Sequence, residues 1–183
     1  SSPDVDYADL QHEFYAMTAD MGDPVANFED GFMFSMGLMR RESRGHVMLK
    51  SGNPNHHPSI SYHFFEAARD RQVMIDGVRR TREMAAQPAF DALRSHELAP
   101  GKDVQSDDEI MSWLRATAST EYHPTSTCRM GTGDNSVTNA EGLVHETEGL
   151  RVVDASIMPH NVTANLNAPV TMMAEKLADV ILR

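Results

Sequence analysis

Residues 149–169, GLRVVDASIMPHNVTANLNAP, form the stretch that decides the fold. Its first part, Leu150-Arg151-Val152-Val153, is mostly apolar and is followed by Asp154, which predicts a short buried strand with an acid at its end. Pro169 predicts the first turn of a terminal helix over residues 170–182, with Asn167 or Ala168 as the N-cap. We therefore expect a strand, a loop and a helix to close the chain.

Upstream of this stretch, the sequence predicts strands first and helices afterwards. Extended runs predict strands within residues 9–17, 31–39, 44–51 and 60–65, and Gly22-Asp23-Pro24 predicts a turn between the first two. Helices are predicted over residues 69–86 and, from the capping box Ser106-Asp107-Asp108-Glu109, to about residue 118. The predicted class is α+β: an antiparallel sheet with flanking helices, followed by the terminal strand–loop–helix.

Composition excludes several classes of protein. The formal charge is −11 for 183 residues, and binding to phosphate backbones requires clustered Lys and Arg, so no nucleic-acid partner is expected. No apolar run approaches the roughly 18 residues of a membrane span, and no secretory signal opens the sequence. Cys128 is the only cysteine, so no internal disulfide can form. We expect an intracellular protein, cytoplasmic or peripherally attached to a membrane, and the start at Ser1 without a methionine indicates a processed or cut chain.

Two polar segments carry residue types suited to alcohol oxidation. His123 precedes Pro124, which disfavours helix at the histidine, and a small polar run follows. A neutral histidine can accept a hydroxyl proton near neutral pH, while Asn165 can donate a hydrogen bond to the developing alkoxide. The hydride must pass to a flavin or a nicotinamide, because no side chain accepts it. The residues alone leave open an ordinary loop histidine and plain helix capping by an asparagine.

The start of the terminal helix adds an electrostatic argument. Free backbone amides and the positive end of the helix dipole near Asn167 would face whatever lies ahead of the loop. The pyrimidine edge of a reduced flavin is anionic, so such a helix end would stabilise it. Asp154, at the end of the predicted strand, lies where α/β proteins present groups to ligands, although a turn aspartate is the alternative.

No other catalytic pattern competes with this interpretation. His56, His57 and His63 lack the HExxH or CxxC spacing of metal sites, so no metal is expected. The sequence contains no nucleophile elbow, which argues against a hydrolase.

Along nearly its whole length the sequence resembles the glucose–methanol–choline family of flavin-dependent oxidoreductases, with the greatest likeness to members that oxidise choline. The specific segments are His123-Pro124…Cys128-Arg129-Met130-Gly131, residues 149–159, Asn165-Leu166-Asn167-Ala168-Pro169 and residues 174–179. Residues 43–51 and Asn53-Pro54…His57-Pro58 look like the family's sheet-domain signature.

The resemblance implies catalytic and substrate-binding roles. His123 matches the histidine at the reactive face of the flavin, and Asn165 matches its partner on the substrate oxygen. Tyr122 matches an aromatic residue that helps enclose the trimethylammonium group of choline, for which cation–π attraction is the physical basis. A packed tyrosine is the alternative for Tyr122.

The resemblance also implies contacts with FAD. Asp154 and Ala155 match positions that approach the pyrophosphate and ribityl chain of the cofactor. Leu166 and Asn167 match the loop beneath the flavin pyrimidine, in agreement with the electrostatic argument for the helix end.

The family's N-terminal Gly-x-Gly-x-x-Gly nucleotide fold is absent from this sequence. The resemblance therefore implies a C-terminal portion, in which residues 1–122 form the later part of the substrate-binding domain and residues 123–183 form the catalytic-histidine segment and the C-terminal part of the FAD-binding domain. We expect the missing FAD-binding half, or a partner chain that supplies it, to cover apolar surface on the sheet and terminal helix. The implied function is FAD-dependent oxidation of a primary alcohol, choline first, to the aldehyde. The alternatives are the same chemistry on another alcohol and a non-catalytic module that keeps the fold.

Overall fold

The structure is a computed structural model that describes residues 5–19 and 28–183. In chain order its elements are β1 (Leu10–Tyr15), β2 (Thr18–Ala19), β3 (Phe28–Glu29), β4 (Met33–Leu38), β5 (His46–Met48), β6 (Ser59–Ser61), α1 (Ala68–Ala85), α2 (Asp107–Thr117) and α3 (Asn167–Ile181), with short 3-10 turns at Pro88–Phe90 and Ala155–Ile157. The turn predicted at Gly22-Asp23-Pro24 lies outside the described residues.

The chain divides into two compact units, which are described separately. The first unit comprises Ser1–Leu38, Glu42–Arg44 and His63–Ser119, and the second comprises Met39–Arg41, Gly45–Tyr62 and Thr120–Arg183. The predicted boundary at residue 122 assigns segments to the domains of a longer enzyme, and it stays a prediction.

The first unit is built on an antiparallel strand pair with two helices. β1 pairs with β4 from Leu10↔Leu38 to Tyr15↔Met33, and β2 pairs with β3. The buried core comes mainly from the helices, through Phe65, Met74, Ile75, Val78, Ile110, Met111 and Leu114. Side chains of β1 and β4 pack against that core, so the apolar residues that predicted these strands and helices share one interior.

The capping box at the start of α2 is confirmed. Ser106 Oγ accepts a hydrogen bond from the Glu109 amide, and the Glu109 carboxylate accepts one from the Ser106 amide. These amide hydrogen bonds, from Ser106 first and then from Gln105, hold the pKa of Glu109 below its ordinary value. The helix therefore begins where the local sequence predicts, and α1 likewise lies within one residue of its predicted span.

The second unit contains the β5–β6 hairpin and α3. Gly45 stands immediately before β5, where an added Cβ would lie 1.9 Å from the Ser61 carbonyl oxygen, so only glycine allows this close strand approach. The strand predicted over residues 60–65 ends at Ser61. It stops because the backbone takes left-handed φ values at His63 (48°) and Phe65 (62°), which break the extended conformation.

Two expectations for the terminal stretch are wrong. Residues 150–154 do not form a buried strand: only Arg151 bridges, to Leu143, while Leu150 is 53% and Val153 36% exposed. Among the described residues its backbone hydrogen bonds go only to the segment 142–144, and pairing on one side leaves the other side of the run uncovered. The N-cap of α3 is Leu166, because Pro169 is tolerated as the third helical residue as well as the first.

The α+β class with antiparallel pairing is confirmed. The C-terminal loop and helix are present, with the helix beginning at Asn167 rather than at residue 170, whereas the strand before them is reduced to a bridge. Across residues 5–19 and 28–183, no helix combines the length and the apolar composition of a membrane span.

Candidate active site

The segment around His123 has an unusual backbone. Tyr122 and Ser126, on either side of the histidine, have φ values of 60° and 73°, which cost non-glycine residues about 1–2 kcal/mol each. The Tyr122 amide donates to Thr120 Oγ1 at 3.0 Å, which fixes the turn into the histidine. His123 is half-buried, and the Tyr122 ring is 84% exposed, so this tyrosine is not a packed core residue. Such local strain is common at functional sites.

Backbone hydrogen bonds join the segment after His123 to the turn after Asp154. The Cys128 amide donates to the Ser156 carbonyl at 3.0 Å, and the Met130 amide donates to the Ile157 carbonyl at 2.8 Å. Ile157 is fully buried, so the junction is anchored in the interior of the second unit. The structure therefore brings together the run that contains the predicted catalytic histidine and the run predicted to contact FAD.

Thr138 holds this arrangement from the other side, and the sequence analysis did not identify it. The residue is fully buried, and its hydroxyl donates to the Cys128 carbonyl at 3.2 Å. Its own carbonyl accepts the Gly131 amide at 2.9 Å. A buried hydroxyl needs such a partner, so Thr138 connects both ends of the Cys128–Gly131 run. No pattern in the neighbouring Ser136-Val137 and Asn139 signals its burial.

Asp154 is the N-cap of the 3-10 turn Ala155–Ile157. One carboxylate oxygen, Oδ1, accepts the Ser156 amide at 2.8 Å and also the Ser156 hydroxyl. The turn-aspartate alternative is therefore realised by this oxygen. Asp154 is exposed, and in the described structure its Oδ2 has no hydrogen bond, so the same side chain can still accept one from a ligand. The FAD contact of Asp154 and Ala155 stays a prediction.

The loop Asn165-Leu166-Asn167 leads directly into α3. Leu166 is buried at 6% exposure, while Asn165 and Asn167 are exposed on either side of it. Because the N-cap position is held by leucine, no N-cap side chain accepts a hydrogen bond from the first amides of the helix. Capping at this position explains neither asparagine. A backbone helix start of this kind can bind an anionic partner, and the roles of Asn165, Leu166 and Asn167 stay predictions.

The predicted residues all lie in the second unit. A shallow hollow of about 230 Å³ lies beside the Met130 run and is lined by Arg129, Met130, Gly131, Gly133, Asn135, Ser136, Pro159 and His160. None of the predicted catalytic or FAD-contacting residues is among them. In the described part of the chain, no three His, Cys, Asp or Glu side chains are placed to share a metal ion.

Comparison with known proteins gives consistent results. Residues 41–174 match the family model described as GMC oxidoreductase. The chain is 45% identical over 179 residues to the oxygen-dependent choline dehydrogenase of Pseudomonas fluorescens (strain Pf0-1), covering 98% of this chain and 32% of the relative. The corresponding enzyme of Chromohalobacter salexigens is 46% identical over 181 residues, covering 99% of this chain and 32% of the relative.

Solved structures agree with these sequence matches. A variant of Aspergillus oryzae formate oxidase superposes with a TM-score of 0.86 at 27% identity, covering 94% of this chain and 31% of that one. Pyridoxine 4-oxidase from Mesorbium loti gives a TM-score of 0.79 at 27% identity, covering 88% of this chain and 31% of that one. The chain therefore spans about one third of the length of the proteins it matches.

Proposed function

The chain belongs to the GMC oxidoreductase family, and we propose that it is the C-terminal catalytic part of an FAD-dependent enzyme that oxidises a primary alcohol to the aldehyde. The observation that supports this most directly is the hydrogen-bonded junction between the His123 segment and the Asp154 turn. FAD is the family's cofactor, and the structurally related formate oxidase contains an FAD whose modification depends on the protein sequence.

Two features of the second unit fit a flavin nucleotide. The first is the start of α3, where no N-cap side chain accepts the first amides, so the positive helix end suits an anionic pyrimidine edge. The second is Asp154, which keeps one carboxylate oxygen for a ribityl hydroxyl while the other shapes the turn. Asp154, Ala155, Leu166 and Asn167 would hold the cofactor at these places.

His123 and Asn165 would carry the chemistry of the protein side chains. When bound, FAD supplies the acceptor for the hydride from the alcohol carbon. His123 accepts the proton of the substrate hydroxyl, and the Asn165 amide donates a hydrogen bond to the oxygen as negative charge develops on it. The left-handed backbone at Tyr122 would help to hold His123 in one orientation.

Choline is the leading substrate. The relatives named oxygen-dependent choline dehydrogenase are about 45% identical over nearly the whole chain. The chain carries a formal charge of −11, which favours a cationic substrate through the overall field. Tyr122 adds an exposed aromatic face next to His123, as an ammonium-binding residue requires.

A further part of the enzyme would cover apolar surface of the second unit. On the hairpin, Met48 is 58%, Leu49 88% and Ile60 55% exposed. On and after α3, Met172 is 58% and Leu182 85% exposed. Burial of an apolar side chain contributes about 1.5–3 kcal/mol, so this surface favours a covering FAD-binding half.

Substitution of His123 tests the proposal in the complete flavoenzyme that contains this chain. We expect His123→Ala to slow flavin reduction by choline about 10²–10⁴-fold, the usual contribution of a positioned general base. The assay is anaerobic stopped-flow absorbance of the flavin band. His96→Ala is the matched control, because His96 is an exposed histidine of the first unit. An unchanged flavin spectrum with a reduction rate within tenfold of the wild type would contradict the role of His123.

Substitution of Tyr122 tests the choice of substrate. We expect Tyr122→Leu to raise KM for choline about two- to fivefold, since exposed cation–π contacts contribute about 0.5–1 kcal/mol. The KM for 3,3-dimethylbutan-1-ol, the uncharged analogue of choline, should change little. Equal effects on both alcohols would indicate a packing role instead.

A further inference from the structure

The hollow beside Met130 has the chemistry of an anion site. Its lining combines the side chains of Arg129 and His160 with Gly131 and Gly133, which have no side chain to cover the backbone. At Gly133 an added Cβ would meet no atom within 4 Å, so the wall is open at that point. All these residues belong to the second unit.

Arg129 is held in place by one hydrogen bond. Its Nε donates to the Asn135 carbonyl at 2.6 Å. In the described part of the chain, its two terminal nitrogens have no hydrogen bond and no carboxylate partner, although the chain has 27 acidic residues. Four of the five guanidinium N–H groups therefore remain for a ligand, in the geometry that binds oxyanions in pairs. Because Arg129 lines the hollow, these donors can pair with an anion there.

The loop that carries Gly131 and Gly133 is held by side-chain hydrogen bonds, and its serine is not an activated nucleophile. His145 Nε2 lies 3.1 Å from the Gly131 carbonyl oxygen, which can only accept, so Nε2 carries a hydrogen. The same nitrogen lies 3.2 Å from Ser136 Oγ, whose own hydrogen goes to the Gly133 carbonyl. His145 therefore cannot deprotonate Ser136, and the two side chains serve to fix the loop that carries the two glycines.

We propose that this hollow binds a small oxyanion, either inorganic phosphate or a carboxylate. The Arg129 guanidinium makes the charge-assisted pair, and the His160 imidazole, which has no side-chain partner in the described structure, supplies an additional N–H donor in either protonation state. The site does not depend on the flavin chemistry, because none of its residues takes part in the proposed reaction.

Titration of the 183-residue chain followed by amide NMR tests the site. Inorganic phosphate and acetate are added in separate arms at constant ionic strength with chloride. The expected result is a saturable shift of the Gly131 and Gly133 amides, with Gly101 of the first unit unaffected. Saturation by one anion alone identifies the source of the oxyanion. Shifts that stay linear with concentration, or that are spread evenly over the chain, overturn the proposal.

Charge-matched variants sharpen the result. Arg129→Gln should weaken the binding about tenfold or more, because a charge-assisted hydrogen bond is lost. Arg115→Gln removes the same charge from an exposed position on α2 and should leave the affinity unchanged. Gly133→Asp retains Arg129 and its bond to Asn135, and should abolish binding by charge. Equal weakening by the Arg129 and Arg115 substitutions, or unchanged binding in Gly133→Asp, overturns the proposal even if one variant folds poorly.

Discussion

Asp70 provides a sharp test of how the first unit is held together. This carboxylate is 1% exposed, and its two oxygens accept the amides of Glu42 at 3.0 Å and Ser43 at 2.7 Å. Ser43 Oγ in turn accepts the Ala67 amide at 3.0 Å, at the N-cap of α1. The turn at residues 42–43 is therefore attached to α1 by a carboxylate, which can accept hydrogen bonds but cannot donate them.

The expected cost of Asp70→Asn follows from this geometry. The asparagine side chain keeps one acceptor oxygen, while its NH₂ group would face the backbone N–H of Glu42 or Ser43. One hydrogen bond is therefore lost, and one donor is left buried without a partner. A hydrogen bond to a charged group contributes about 1.5–3 kcal/mol, and an unsatisfied buried group costs about 1–3 kcal/mol. These contributions overlap, so we expect the free energy of unfolding to fall by about 2–4 kcal/mol.

Trp113 allows this cost to be measured in the correct unit. It is the only tryptophan of the chain and packs against the core of the first unit, so its fluorescence follows that unit alone. With an m-value of about 2 kcal/mol per molar urea, the unfolding midpoint should fall by about 1–2 M. Asp103→Asn, at an exposed position, should change the free energy by less than about 0.5 kcal/mol. Coinciding midpoints for the two variants would refute the role given to Asp70.

Two further predictions concern backbone strain and pH. Gly142 has φ +73°, and an added Cβ would lie 2.7 Å from the Val152 carbonyl oxygen. We therefore expect Gly142→Ala to destabilise the second unit by about 2 kcal/mol or more, measured as faster hydrogen exchange of the Val152 amide. Unchanged hydrogen exchange would contradict this prediction. Burial lowers the pKa of His12, with a hydrogen bond to Gly77 opposing it in part. Near and below about pH 6.5 the unfolded chain therefore binds more protons than the folded chain does. The first unit should lose stability as the pH falls from about 7.5 to about 5.5, and urea unfolding followed by Trp113 fluorescence measures this loss. His12→Gln should reduce this pH dependence, and an equal loss in that variant would assign the effect to other groups.

The helices of the first unit could be predicted because their signals are local. The capping box of α2 needs only Ser106 and Glu109, three residues apart, and the structure contains both of its hydrogen bonds. The N-cap of α3 could not be predicted in the same way. Pro169 is tolerated at several positions of the first helical turn, and the N-cap proves to be Leu166, a residue type that rarely occupies this position.

In the candidate site, too, the sequence predicts what is local and misses what depends on contacts between distant segments. The types and spacing of His123 and Asn165 point to proton transfer and alkoxide binding, since those tasks depend on side-chain chemistry. The support around His123 depends on pairing between segments. The Thr138 hydroxyl bonds to the Cys128 carbonyl, ten residues earlier in the sequence, and the Cys128 amide bonds to the Ser156 carbonyl, 28 residues after Cys128. No local pattern encodes contacts of that range.

The error at residues 150–153 bears on the function. The mostly apolar sequence of this run predicts burial, yet Leu150 is 53% and Val153 36% exposed, because in the described part of the chain its backbone pairs only with the segment 142–144. Tyr122 is 84% exposed in the same unit, and Asn165 is exposed as well. Electrostatic stabilisation of an alkoxide is strong only where water is excluded. Under the proposed function, an FAD-binding half that covers the apolar surface of the second unit would bury Leu150 and Val153, and the flavin it holds would exclude water from an alkoxide formed at His123.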